Sequence, residues 1–235
     1  MVQDPGEGQK RVGYDCFPED RVHGVALCPS KKMRSIVEWG CGARRGKTFD
    51  YGSNHNRREE ACAKEHCRRL GIEQVTIPLG VIGQYFKSSL LEEAVAVPEG
   101  PYAAENMQST VVPFRNGIML SVAAGLAESR GLRKVLIANH DGDHVVYPDC
   151  REGFVAAMDR AVQEGTDGKV QVEAPYTRMS KADIARVGGR LGVDYARTYS
   201  CYKGGEKHCG RCATCLERRE ALREAGVEDG TEYEG

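Results

Sequence analysis

Residues Lys134–Asn139 read Lys-Val-Leu-Ile-Ala-Asn, a continuous apolar run with no polar alternation. A strand of this kind is buried on both faces, which occurs in parallel sheets covered by helices on either side. The neighbouring sequence fits that setting. Phe114–Arg130 has helical spacing, with Ile118, Leu120, Val122 and Leu126 as apolar positions and Gly131 as a stop. Arg151–Gln163 reads as a helix, and Lys169–Ala174 as a strand ended by Pro175. Ser180-Lys181-Ala182-Asp183 is a capping-box pattern opening a helix through Leu191, with Gly192 behind it. Upstream, Asn56–Leu70 lacks Gly and Pro and predicts a helix closed at Gly71, followed by a β-rich run at Gln74–Leu79. Residues 80–112 read mostly as loop, with Pro98, Gly100 and Pro101 as breakers. Strands alternating with helices predict βαβ units, and ligands in such sheets bind beyond the carboxyl ends of the strands. The loops after Asn139 and Ala174 are therefore the places to look for chemistry.

The chain has 235 residues, enough for one full domain and a small second one. It is 40% hydrophobic and 29% charged, which excludes a disordered or fibrous class. Lys+Arg number 33 and Asp+Glu 34, a net charge of −1, which argues against a general polyanion binder while permitting local basic patches. No apolar run reaches the roughly 18 residues of a membrane span. The first 35 residues lack the apolar stretch of a secretory signal. The expectation is a cytoplasmic protein with reduced thiols. Residues 1–47 show no clean period, and no element is assigned there.

Ten cysteines in a reducing compartment are free thiols, metal ligands or catalytic groups. Cys201, Cys209, Cys212 and Cys215 are spaced C-x7-C-x2-C-x2-C, with Gly204, Gly205 and Gly210 supplying backbone freedom. Four thiolates complete a tetrahedral Zn²⁺ site, and a site with no open position is structural. An iron–sulfur cluster uses the same four residues, and four unrelated thiols are the bland alternative. His208 could replace Cys209, although the four-cysteine set is complete without it. The other six cysteines (16, 28, 41, 62, 67 and 150) show no metal spacing. Cys62 and Cys67, five apart on a predicted helix, read as small apolar residues.

The segment His140-Asp141-Gly142-Asp143-His144-Val145-Val146-Tyr147-Pro148-Asp149-Cys150-Arg151 follows the buried strand. Asp149 could be the N-cap of the helix beginning near Arg151. His140, Asp141, Asp143 and His144 could hold a metal. The segment could also recognise a purine-like ring, a carboxylate accepting two N–H bonds from its edge and Tyr147 stacking on its face. Thr48-Phe49-Asp50-Tyr51-Gly52 ends with a glycine before a basic helix, with Ser53, Asn54 and His55 in the turn. Val112-Pro113-Phe114-Arg115-Asn116 places Arg and Asn in a first helical turn, where an anion is favoured. Taken singly, each is a turn or a cap.

Taken together, T-F-D-Y-G followed by N-H, V-P-x-R-N, H-x-G-D-H-x-x-Y-P-D-C-R and S-C-Y-x-G-G-E-K-x-C-G-R-C-x-x-C resemble the 7-cyano-7-deazaguanine synthase family of the queuosine pathway. The similarity runs from about Thr48 to about Gly226, roughly three quarters of the chain. The resemblance implies an α/β fold of the adenine-nucleotide α-hydrolase type: a Rossmann-like parallel sheet with a small zinc element at the C-terminus. The implied division is 1–47 divergent, 48–200 the α/β nucleotide and substrate domain, and 201–235 the zinc element. The implied activity is an ATP-dependent ligase acting on 7-carboxy-7-deazaguanine and ammonia. A carboxylate is a poor electrophile, so it would attack the ATP α-phosphate to give an acyl adenylate. Ammonia would displace AMP to form an amide, whose oxygen is activated again and lost to leave the nitrile. Mg²⁺ would neutralise phosphate charge. Carried over by position, Cys201, Cys209, Cys212 and Cys215 are the zinc ligands. Asp143, Tyr147, Asp149 and Arg151 lie around the deazaguanine, and Arg115 faces phosphate or the substrate carboxylate. Asp50, Tyr51 and Gly52 belong to the nucleotide side. No catalytic residue is implied, and a homodimer is expected.

One family element is not legible. A pyrophosphate loop S-G-G-x-D-S is expected about two dozen residues before Thr48, where this chain reads Val25-Ala26-Leu27-Cys28-Pro29-Ser30-Lys31 without paired glycines. Cys41-Gly42-Ala43-Arg44-Arg45-Gly46-Lys47-Thr48 approaches G-x4-G-K-T, but Cys41 replaces the first glycine. Two explanations are a divergent relative and a displaced reading frame upstream of Thr48. The abrupt change from aperiodic to patterned sequence favours the displaced frame. Translation of the other two frames is then expected to reveal S-G-G-x-D-S, and its absence from both would sink that explanation. Three function classes follow: the ligase, a binder that keeps the substrate pocket but cannot use ATP, and a zinc-ribbon nucleic-acid module using Arg57, Arg58, Arg68, Arg69, Arg218 and Arg219. The near-zero net charge weighs against the last, and no direct nucleic-acid partner is expected.

Overall fold

The computed structural model describes residues 24–28, 45–91, 96–101 and 107–234. Five strands, β1 (Gly24–Cys28), β2 (Arg45–Asp50), β3 (Glu73–Pro78), β4 (Lys134–Ile137) and β5 (Gln171–Glu173), form one sheet in the order β3-β2-β1-β4-β5. Every pairing is parallel. The chain steps outward from β1 to β3, then crosses back to place β4 on the other side of β1. The order therefore reverses between β1 and β4, and the ligand crevice of such a sheet lies beyond the carboxyl ends of those strands.

β4 is the strand expected from its apolar run. Val135, Leu136 and Ile137 are all buried. Val135 and Ile137 join the main core, while Ala138, just beyond the strand, joins a second cluster with Ile184, Ala185 and Leu222. Helix α1 (Asn56–Leu70) packs on β2 and β3; α2 (Gly80–Tyr85) follows β3; α3 (Arg115–Ser129) packs on β1 and β4; α4 (Glu152–Gly165) covers β5. α5 (Lys181–Arg190) and α6 (Ala213–Ala225) pack against each other.

The differences from expectation have local causes. β1 lies within the 1–47 segment, to which no element was assigned, and β2 opens at Arg45 rather than Thr48. β1 exists because it is paired on both sides, to β2 and β4, and such pairing leaves no periodic mark in five residues. Of the stretch where the pyrophosphate loop is expected, Val25–Cys28 belong to β1, and residues 29–31 lie outside the described residues, as does the rest of 1–44 apart from Gly24. Within 80–112, α2 and a 3₁₀ turn at Gln108–Thr110 replace loop. Two glycines in six residues hide α2 from a propensity reading. Gly83 packs closely there: a Cβ would lie 3.1 Å from the Tyr51 carbonyl oxygen.

Among the described residues, Gln108–Ser129 is the one stretch whose length and composition would suit a bilayer. Phe114, in a left-handed conformation (φ 50°), breaks it. The α-helical part is 15 residues, short of the roughly 20 that a span needs, and its Met119, Leu120, Ala123 and Ala127 lie in the core.

Candidate functional site: a strand-end crevice beside a four-cysteine centre

Tyr51 follows β2 directly and is 1% exposed. Its hydroxyl accepts a hydrogen bond from Arg115 Nη1 (3.1 Å), and the guanidinium stands 5.5 Å from the Tyr51 ring centroid. Arg115 opens α3 and is itself buried. Burial works against its positive charge, but the facing Tyr51 and Asp149 more than offset this and hold the guanidinium above its ordinary range. Asp50 Oδ1 accepts from the Gly52 N–H (3.3 Å) and from Asn56 Nδ2 (3.0 Å), fixing the exposed turn after β2 to the start of α1.

The loop after β4 is secured by buried amides. Asn139 donates through Nδ2 to the Cys150 carbonyl (2.6 Å) and to Thr177 Oγ1 (3.0 Å), tying together the loops that follow β4 and β5. Asn116 donates to the Asp149 carbonyl (3.1 Å) and to Cys150 Sγ (3.2 Å). Asp149 is not the N-cap of the following helix, whose N-cap is Arg151 without a side-chain bond. Its Oδ2 instead accepts the Asn116 backbone N–H (2.8 Å) at the start of α3. The favoured anion at that helix N-terminus is the protein's own carboxylate. The residue lies next in sequence to one helix, but the fold brings it to another.

The remaining predicted residues have distinct settings. Tyr147 is buried, with its hydroxyl 2.7 Å from Thr110 Oγ1. Asp143 is buried, with Oδ2 3.3 Å from His140 Nε2. Arg151 is exposed and donates through Nε to the His144 carbonyl (2.9 Å). The four-residue metal reading of this loop does not hold. His140 pairs with Asp143 while His144 pairs with Asp141 (3.6 Å), and the four side chains do not converge on one point. Thr110, Asn139 and Thr177 were not singled out from the sequence, since isolated polar residues at loop positions carry no periodic signal.

Cys201, Cys209, Cys212 and Cys215 converge. They are at most 1% exposed, and their Sγ atoms all lie within 4.8 Å of one another. Separations of 4.0 Å (Cys209–Cys215 and Cys201–Cys212) and 3.5 Å (Cys212–Cys215) suit a tetrahedron, since Zn–S bonds of about 2.3 Å place sulfurs about 3.8 Å apart. Backbone N–H groups of Cys209, Arg211 and Cys212 point at the sulfurs, as thiolate charge requires. His208 is not a ligand: its Nε2 accepts the Ser200 N–H (3.1 Å), and burial pushes its pKa down to about 4. Four sulfurs this close could hold a single metal ion; a cluster of several irons needs them spread around it. Among the described residues, this is the one group of Cys, His, Asp or Glu arranged to hold a metal.

The other cysteines behave as packing. Cys62 and Cys67 are half-buried and in no disulfide, and burial pushes the Cys62 thiol up to about 11. Cys150 is buried. No side chain is described for Cys16, Cys28 or Cys41. The basic residues of the nucleic-acid reading are mostly engaged within the fold. Arg68 and Arg69 pair with Glu65, and Arg58 with Glu206. Arg218 is buried, and Arg219 stands 3.7 Å from the Tyr233 ring centroid.

Residues 46–226 match the family described as "Queuosine biosynthesis protein QueC". A "7-cyano-7-deazaguanine synthase" of Porphyromonas gingivalis strain W83 is 63% identical over 188 residues, 80% of this chain and 86% of that protein. One from Desulfotalea psychrophila is 51% identical over 206 residues, 86% and 94% of the two chains. One from Rhizobium rhizogenes is 48% identical over 192 residues, 80% of each. Over this span and at this identity, the chain belongs to the family of the queuosine biosynthesis protein QueC.

Proposed function

We infer that the chain is a 7-cyano-7-deazaguanine synthase, an ATP-dependent carbon–nitrogen ligase of queuosine biosynthesis. The observation that carries this reading is the family match across residues 46–226. It coincides with a parallel sheet whose order reverses between β1 and β4. The chemistry asks for a cation that meets either a carboxylate or a phosphate, and Arg115, a buried guanidinium at the start of α3 beside Tyr51, is the residue proposed for it. Its planar donors match both anions. Asp149, Asn116 and Asn139 hold the loop after β4 in shape, so that Asp143, Tyr147 and Arg151 meet the deazaguanine as a preset group. Asp50, Tyr51 and Gly52 line the nucleotide side. Expelling water from this crevice protects an acyl adenylate from hydrolysis before ammonia reaches it. Mg²⁺ accompanies ATP and neutralises its phosphates.

Zn²⁺ is the ion proposed for the four cysteines. With every position filled by sulfur, it supplies structure and no open site for chemistry. A cytoplasmic homodimer without a nucleic-acid partner completes the proposal. The spent arginines support the last point.

The test is incubation of the purified chain with 7-carboxy-7-deazaguanine, ammonium, ATP and Mg²⁺, followed by mass spectrometry. The nitrile, AMP and pyrophosphate are expected. Substrate binding without nitrile would replace the ligase by a binder, and no binding at all would overturn both.

A further inference from the structure

Seven residues separate Cys201 from Cys209, a longer turn than the two-residue spacings that follow. The structure shows where they go. The turn leaves the cysteine centre and lands on the loop after β2. Gly204 adopts φ +73°, and a Cβ on it would lie 2.0 Å from the Asn54 carbonyl oxygen and 3.3 Å from the His55 nitrogen. No side chain fits there. The Tyr202 ring lies 5.5 Å from the His55 ring, Glu206 meets Arg58 at 3.4 Å, and Tyr199 braces the turn from behind by donating to the Gly205 carbonyl (3.0 Å). On its far side, Asn54 is held by the next layer. Its N–H donates to the Leu90 carbonyl (2.9 Å) and its Nδ2 to that of Ser89 (3.1 Å). Ser89 N–H donates to the Ser109 carbonyl (2.8 Å), and the adjacent Thr110 meets the Tyr147 hydroxyl at 2.7 Å. One contiguous stack thus runs from the cysteine centre to the loop after β4.

We propose that Gly204 is a positioning residue, through which the turn between the first two cysteines clamps the loop after β2 and sets the nucleotide side of the crevice. Metal occupancy and crevice geometry are then one mechanical unit. The clamp stands on geometry; only its consequence for ATP rests on the synthase reading.

Hydrogen exchange read by mass spectrometry on the full chain tests it, comparing wild type with Gly204→Ala. The variant is expected to retain one metal ion per chain while amides 52–56 exchange about tenfold faster and β4 is unchanged. Its KM for ATP is expected to rise about tenfold, with kcat less affected. If Gly204→Ala fails to fold, Tyr202→Leu is read in the same way. Exchange at 52–56 that is unchanged, or that moves only in step with β4, overturns the clamp. A wild type that exchanges as expected but makes no nitrile leaves the clamp standing and removes the ATP consequence.

Discussion

Arg218 is 1% exposed and makes four hydrogen bonds: to Asp229 Oδ1 (2.9 Å), Thr198 Oγ1 (2.8 Å), the Tyr195 carbonyl (2.7 Å) and Thr231 Oγ1 (2.9 Å). It ties α6 to the C-terminal segment and to the residues before the first cysteine. Replacing it with Met leaves those acceptors unsatisfied and is expected to cost about 3 kcal/mol in a urea titration. Burial alone would raise the Asp229 carboxyl, but Arg218, Thr231 and Tyr233 overcome this and hold it below its ordinary value. A depressed carboxylate contributes stability above its unfolded pKa of about 4 and loses it as pH falls through the folded value. Wild type is therefore expected to lose stability relative to Asp229→Asn between about pH 5 and pH 2; parallel urea midpoints would contradict this. At the crevice, Arg115→Lys removes the planar fork and is expected to lower kcat/KM about 100-fold with the fold intact. Arg115 was legible because it starts a helix within a specific motif. Its partner Tyr51, 64 positions away, is a fact of the fold.

The Ser180 capping box was legible because its geometry is local. The Ser180 hydroxyl accepts the Asp183 N–H (3.1 Å), and Asp183 returns a bond to the Ser180 N–H (3.1 Å). Ser180→Ala is expected to cost about 1 kcal/mol in chemical denaturation. α3 is capped from a distance instead, by Asp149, 33 positions downstream. Asp149→Ala is expected to cost a similar cap, about 1 kcal/mol, and also to raise the KM for the deazaguanine, because the loop after β4 loses its anchor. An equal loss of stability with unchanged KM would make Asp149 a cap alone. β4 was readable because burial on both faces leaves an unbroken apolar run, whereas α2 was not, because two of its six residues are glycine, one of which, Gly83, packs closely on Tyr51.

For the whole molecule, the four-cysteine centre gathers residues 201–215 at a point suited to a metal and, through the Gly204 turn, leans on the loop after β2. Elemental analysis is expected to find one zinc per chain and no iron, and Cys212→Ser is expected to lose the ion and unfold at a lower temperature. The sequence by itself determined the α/β class, the four-cysteine cluster and the family motifs. Each of these is a short-range pattern: an apolar run, a spacing or a string of adjacent residues. Only the tertiary structure decided that β1 sits at the centre of the sheet, that Asp149 caps α3 and that Gly204 meets Asn54. Those relations join residues far apart in the chain, fixed by strand order and close packing, and neither leaves a periodic trace in the sequence.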